Sequence, residues 1–261
     1  MEWTITRRDF MRGTAFAALG AALPLRVQAE TTTRVVLVRD KDVFDENGRI
    51  DGGIVQRMLD DAMTAVTQKA NPAEAFAALI RPEDIVGVKS NGWSYMPTPP
   101  ELEAAIERRL LDVGVKKDHI SIDDRGVLTN PVFKQCTAII NVGLVCNLPM
   151  VKGKLRLHIL SALGPLFHGR GPHHYDQRYV WKYNGIIVGT DPVAVDAVGL
   201  ELIRQKRREH FGKELAFPTI PKHVALADTR HHMGISDLNR IELVKVGWEE
   251  GRLIACGETE S

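Results

Sequence analysis

Strand-like and helix-like segments alternate along most of the chain, and this alternation limits the folds that it can adopt. The apolar strand pattern RVVLVRD precedes an apolar stripe at helical spacing between Val55 and Val66. The strand pattern DIVGVK precedes the helical pattern TPPELEAAIERRLLDVG, and YNGIIVGT precedes DPVAVDAVGLELIRQKRREH. Strands that alternate with helices need crossover connections and favour parallel pairing. The sequence therefore predicts a three-layer α/β fold, with a largely parallel sheet and helices on both faces.

The N-terminus has the pattern of an export signal. It combines a polar, arginine-bearing start, an apolar middle at 14–25 and a small-residue end at 27–29. The apolar part is shorter than the roughly 20 residues that span a bilayer. The pair Arg7-Arg8 is typical of twin-arginine export. We predict a signal peptide at 1–29, a single α/β domain at 30–261, and a periplasmic or otherwise exported protein without a membrane anchor. The alternative is a basic helix start followed by a short core helix.

Charge and cysteine content narrow the possible partners. Removing residues 1–29 takes away four arginines and two acidic residues, which leaves 30 basic and 31 acidic residues. This balance does not indicate a nucleic-acid partner. Cys136, Cys146 and Cys256 are odd in number and form no C-x-x-C pair. They argue against a zinc ribbon and against a cysteine-ligated iron–sulfur cluster.

Polar residues stand at the ends of several predicted strands. In an open α/β sheet, ligands bind beyond the carboxyl ends of the strands. Oxygen atoms of polar residues at these strand ends can hold a divalent cation, and Lys89 and Arg125 can bind an anionic substrate. The candidate catalytic residues are Asp123, Asp124 and Lys89, and the candidate substrate-binding residues are Asn91, Arg125, Asn141, Arg170 and Asp191. Asp191 precedes a proline, so the alternative role for it is a helix N-cap.

The segment LFHGRGPHHYDQRYVWKY predicts a loop rich in histidine and aromatic residues. Histidine ligates borderline metals, so His168, His173 and His174 are candidate ligands of a divalent metal. Their spacing does not match H-E-x-x-H, and the nearby glycines and proline explain the turn without a ligand. Packing or surface hydrogen bonding is therefore the alternative role.

Several motifs of common enzyme classes are missing from the sequence. It contains no G-x-S-x-G elbow, no G-x-x-x-x-G-K-[ST] phosphate loop and no G-x-G-x-x-G after a strand. ATPase, dinucleotide-binding and nucleophilic hydrolase functions are therefore disfavoured.

Segments that cover most of the chain after the signal resemble a family known as domain of unknown function 362, in particular its subgroup with a twin-arginine signal. They include VGVKSNGW, ISIDDRGVLTNPVF, TAIINV, KGKLRLHIL and, most specifically, GTDPVAVDAVG. The family name implies no established activity. Relatives carry a histidine-bearing segment after the strand that matches TAIINV, whereas this chain has only GLVCNLPMV there.

Two functions remain open from the sequence. One is an exported enzyme, in which a divalent metal acts as Lewis acid or a carboxylate acts as general base on a small or anionic substrate. The other is a non-catalytic periplasmic binding or accessory protein with a degraded site.

Overall fold

The structure, a computed structural model, describes residues 32–143, 153–169 and 174–254. From Thr32 onwards the described residues form one compact unit. The predicted signal peptide, Arg170 and His173 lie outside the described residues, as do Cys146 and Cys256. Within the described ranges, no helix has the length and apolar character needed to cross a bilayer.

The fold has seven strands and six α-helices among the described residues. The strands are β1 (Thr33–Arg39), β2 (Val86–Lys89), β3 (Ile120–Asp123), β4 (Ala138–Val142), β5 (Leu155–Ala162), β6 (Gly185–Gly189) and β7 (Ile241–Gly247). The helices are α1 (Gly52–Thr67), α2 (Pro72–Ala77), α3 (Pro100–Asp112), α4 (Pro131–Gln135), α5 (Pro192–Phe211) and α6 (Lys222–Thr229). Short 3-10 turns lie at Lys117–His119, Gln177–Tyr179 and Leu238–Arg240.

All seven strands form one sheet in the order β3-β2-β4-β5-β6-β1-β7. Strands β3, β2, β4 and β5 are parallel, and β1 and β7 run in the same direction. Only β6 among the described strands is antiparallel to its two neighbours, β5 and β1. The predicted three-layer α/β fold with a largely parallel sheet is therefore confirmed.

Each face of the sheet is covered by helices that bury an apolar cluster. On the first face, the stripe of α1 packs with residues of α2 and α3 against alternate strand positions such as Val86, Val88 and Ile140. On the second face, α5 and α6 pack against positions such as Val35, Leu37 and Ile187. These alternating positions arise because successive strand side chains point to opposite faces.

Local sequence signals set the ends of the helices. Asp51 and Asn71 accept hydrogen bonds from the first backbone amides of α1 and α2. Gly212 ends α5 with a φ of 67°, a left-handed conformation that glycine adopts without steric cost. Cys136 is a buried free thiol, and burial raises its pKa.

The direction of β6 corrects the expected position of Asp191. Because β6 is antiparallel, its carboxyl end lies at the edge of the sheet opposite to the ends of β2, β3, β4 and β5. The Oδ1 atom of Asp191 accepts from the amides of Val193 and Ala194, and Oδ2 accepts from the amide of Ile235 at 2.9 Å. Burial raises the pKa of this carboxyl. The placement of Asp191 with the other candidate residues was therefore wrong, and its contacts are those of a helix cap.

The carboxyl edge of the sheet has a step. The last residue of β4, Val142, pairs with Ile159, whereas β5 continues to Ala162. The last residue of β2, Lys89, pairs with Asn141 on the neighbouring strand. The upper part of β5 therefore extends beyond the ends of β2 and β4.

Candidate functional site

A cavity of about 740 Å³ opens at this step. Its walls come from the upper part of β5 between Leu160 and Ala162, from α5 between Asp196 and Ile203, and from the loop at 93–99 after β2. Val224 of α6 and Phe44 also contribute apolar surface. The volume lies within the roughly 300–1,000 Å³ range of small-molecule pockets. The cavity is therefore large enough for a drug-sized organic ligand.

A row of polar side chains crosses the sheet beneath the cavity. Lys89 pairs with Asn141 in the register of β2 and β4, and Asn141 pairs with His158 in that of β4 and β5. Their strand neighbours Val88 and Ile140 belong to the cluster on the first face, so the row lies on the second face. Neighbouring strands are about 4.8 Å apart, so the backbones of Lys89 and His158 are separated by about 10 Å.

His158 is fully buried and joins this row to α5. Its Nδ1 lies 2.8 Å from Asn141 Nδ2, and its Nε2 lies 3.3 Å from Asp196 Oδ1. Asn141 Nδ2 also donates to the carbonyl oxygen of Gly143 at 3.2 Å, which accepts only. The amide nitrogen of Asn141 is therefore the donor to His158 Nδ1. This leaves the ring proton on Nε2, which donates to the Asp196 carboxylate.

Lys89 lines the cavity, but its charge is already paired. Its Nζ lies 2.5 Å from Asp124 Oδ1 and donates to the carbonyl oxygen of Ser90. Burial acts to raise the pKa of Asp124, but the hydrogen bonds from Lys89 and from the amide of Gly92 outweigh it, so this pKa is lowered. Asp124 itself does not line the cavity. The Lys89–Asp124 pair therefore presents little net charge to a ligand.

Asp123 has a structural role in the turn after β3. Its Oδ1 accepts from the amide of Gly126 at 2.9 Å, and its Oδ2 accepts from Asn130 Nδ2 at 3.0 Å. The hydrogen bond from Asn130 is the main cause of its lowered pKa. Asp123 is the last residue of β3 and directly precedes Asp124, and it does not line the cavity.

Asn91 and Arg125 differ in their relation to the cavity. Asn91 lines it and shapes the loop above, because its Nδ2 donates to the carbonyl oxygen of Met96 at 2.7 Å and its backbone amide donates to Thr98 Oγ1. Arg125 is exposed and is not part of the cavity wall. Its Nη2 lies 3.4 Å from the carbonyl oxygen of Gly92.

Three aromatic side chains cover the outer part of the cavity. Tyr95 and Tyr175 stack with ring centroids 4.9 Å apart, and Trp93 packs edge-on against both. All three line the cavity. Tyr175 comes from the histidine-rich loop, so part of that loop contributes to the site.

The described histidines of that loop lie outside the cavity wall. His168 Nδ1 lies 2.7 Å from Arg207 Nη1, and burial, followed by the charge of Arg207, lowers the pKa of His168. His174 is exposed. Across residues 32–143, 153–169 and 174–254, no three His, Cys, Asp or Glu side chains form a group that could hold a metal ion. The predicted ligand His173 and the predicted substrate-binding residue Arg170 lie outside these ranges.

The most buried polar residues of the site, His158 and Asp196, were not among the candidate residues predicted from the sequence. His158 interrupts the apolar strand LRLHILSA, and a lone polar residue within such a strand is a usable signal. Asp196 lies on the apolar face of α5 and is 7% exposed. Neither could be paired with the other from spacing alone, because 38 residues separate them.

Comparisons of the chain with protein-family models, with curated proteins and with solved structures found no match. The resemblance to domain of unknown function 362 therefore stays a prediction from the sequence segments that carry it.

Proposed function

We propose that this protein is exported and binds a largely apolar small molecule in the cavity at the carboxyl edge of its sheet. The observation that carries the proposal is the cavity itself, with an apolar wall and a few convergent polar groups, among them Lys89, Asn91 and Asp196. Ligand sites of open α/β sheets lie at this edge. The sequence segments that resemble domain of unknown function 362 and the twin-arginine pattern support the proposal of an exported relative of that family.

A second candidate function is an exported enzyme that acts on the same ligand. Asp196 favours it, because a carboxylate that lines a cavity and is held by a histidine can accept a proton as a general base. Lys89, which lines the cavity at the opposite end of the polar row, offers a proton donor.

Ligand binding in the cavity is tested with a neutral apolar dye. The fluorescence of N-phenyl-1-naphthylamine is titrated with the purified full chain and with the variant Ile203→Trp. Ile203 lines the cavity, so the larger indole occupies ligand space and we expect at least a tenfold loss of dye affinity. The matched control is Leu226→Trp, at a 41% exposed position on α6 that does not line the cavity, and it should bind as the unchanged chain does. Equal affinities for both variants would overturn the proposed site.

Export is tested separately. Replacing Arg7 and Arg8 with Lys removes the paired arginines, and we expect the longer precursor to accumulate in the cytoplasm. Unchanged appearance of a shortened chain outside the cytoplasm would contradict the twin-arginine proposal.

A further inference from the structure

The charged groups of the cavity wall suggest what kind of polar group the ligand carries. Among the described residues that line the cavity, the acidic and basic side chains other than histidine are Lys89 and Asp196. Their surroundings differ, because Lys89 has a carboxylate partner and Asp196 has a neutral one. The positive charge of Lys89 is therefore balanced by Asp124 and does not neutralise the negative charge of Asp196.

Lys89 is compensated by a residue outside the cavity. Asp124 Oδ1 lies 2.5 Å from Lys89 Nζ, and the carbonyl oxygen of Ser90 takes a second donor position. An anionic ligand would have to compete with the Asp124 carboxylate for this ammonium group. Lys89 is thus a weak anion-binding group in this setting.

Asp196 is compensated by no cation among the described residues. Its only hydrogen-bonding side-chain partner there is His158, which is neutral, because Nδ1 accepts from Asn141 and the ring proton lies on Nε2. Asp196 Oδ2 makes no hydrogen bond within the described ranges, although the residue is 7% exposed and lines the cavity. A buried carboxylate in this position is stabilised when a cation or a strong hydrogen-bond donor binds to it.

We propose that the ligand is an organic amine, with an apolar body that fills the cavity and an ammonium group that binds Asp196 Oδ2. This inference rests on the proposed function, since it needs the cavity to be a ligand site. His158 acts as a positioning residue, because its hydrogen bond to Oδ1 fixes the carboxylate and leaves Oδ2 for the ligand. The faces of Trp93, Tyr95 and Tyr175 supply apolar cover and, for a cation close to them, additional attraction.

The test compares three probes that share one aromatic body. These are 2-naphthylmethylammonium, the neutral 2-naphthylmethanol and the anionic 2-naphthoate, each titrated calorimetrically into the full chain at neutral pH. We expect the ammonium probe to bind at least tenfold more tightly than the alcohol, and the carboxylate probe to bind most weakly. Asp196→Asn keeps the shape of the side chain and should lower the affinity for the ammonium probe at least tenfold, with less than threefold change for the alcohol.

One further variant serves as a control, and a second replaces Asp196→Asn if that variant does not fold. Glu201→Gln removes a negative charge from the same helix at a position that does not line the cavity, and it should change the affinity for the ammonium probe less than threefold. If Asp196→Asn fails to fold, Asp196→Glu retains the charge and should retain the preference for the ammonium probe over the alcohol.

Failure of this inference differs from failure of the proposed function. If the three probes bind equally and Asp196→Asn changes none of them, the amine proposal is overturned while the cavity remains a ligand site. If the carboxylate probe binds most tightly, the amine proposal is also overturned and Lys89 becomes the group that selects the ligand. If neither these probes nor the neutral dye bind, both proposals are wrong.

Discussion

His158 is the residue on which the buried polar groups of the site depend. It is fully buried, and it satisfies Asn141 through one ring nitrogen and Asp196 through the other. In the variant His158→Ala, Asp196 loses its only side-chain hydrogen-bond partner among the described residues, and Asn141 loses one of its partners. A buried polar group left without a partner costs about 1–3 kcal/mol. We expect His158→Ala to lower the free energy of unfolding, measured by urea titration, by at least about 1 kcal/mol.

The control for this prediction is His231→Ala. His231 is exposed, so its removal should change the free energy of unfolding by less than about 0.5 kcal/mol. Equal effects of the two substitutions would mean that the hydrogen bonds of His158 contribute no net stability.

For single residues, the sequence predicts contacts between neighbours in the chain, such as helix caps. The caps formed by Asn71 and Asp191 follow from a polar residue placed directly before a proline, and both are present. The hydrogen bond between His158 and Asp196 joins β5 to α5 across the packing of a helix on a sheet. Such a contact depends on how the elements pack, so residue spacing could not reveal it.

Among the elements, the strands and long helices follow from their apolar periodicity, but the direction of β6 does not. A parallel crossover needs a dozen or more residues and is usually made by an α-helix. In the described part of the connection between β5 and β6, regular structure is limited to the turn at Gln177–Tyr179. Strand β6 therefore runs antiparallel to β5, and Asp191, which follows β6, lies at the edge of the sheet opposite to the site.

The ends of β2 and β3 are held together by the pair of Lys89 and Asp124, which predicts a dependence of stability on pH. The pKa of Asp124 is lowered in the folded protein. Its ionised form therefore contributes stability above its unfolded pKa of about 3.9, and this contribution is lost as the pH falls through the lower folded pKa. We expect Asp124→Asn to lower the melting temperature most near pH 7, with the difference from the unchanged chain shrinking below about pH 4.

Glu107→Gln serves as the control for this pair. Glu107 contacts Lys117, whose side chain is 66% exposed, and an exposed ion pair contributes only about 0–1 kcal/mol. Its removal should have a small effect on the melting temperature at pH 7. A constant difference between Asp124→Asn and the unchanged chain from pH 7 to pH 3 would contradict the role given to Asp124.

For the whole molecule, the two apolar clusters lie on opposite faces of one sheet, so each depends on the same seven strands. Phe76 is almost fully buried in the first cluster, and Leu202 is almost fully buried in the second. Truncating a buried leucine or phenylalanine to alanine costs about 2–5 kcal/mol. Because neither cluster can persist without the sheet, we expect Phe76→Ala and Leu202→Ala each to shift one common unfolding transition.

Calorimetry and near-ultraviolet circular dichroism should report the same melting temperature within each variant, as a two-state transition requires. The control is Leu111→Ala on α3, where the leucine is 41% exposed and its removal should shift the transition little. Two separate transitions, with each core substitution lowering only one of them, would mean that the faces unfold independently. The cavity wall draws Leu160 and Leu202 from the second face and Phe44 from the first. A single transition would therefore also imply that the ligand site forms only when the whole domain is folded.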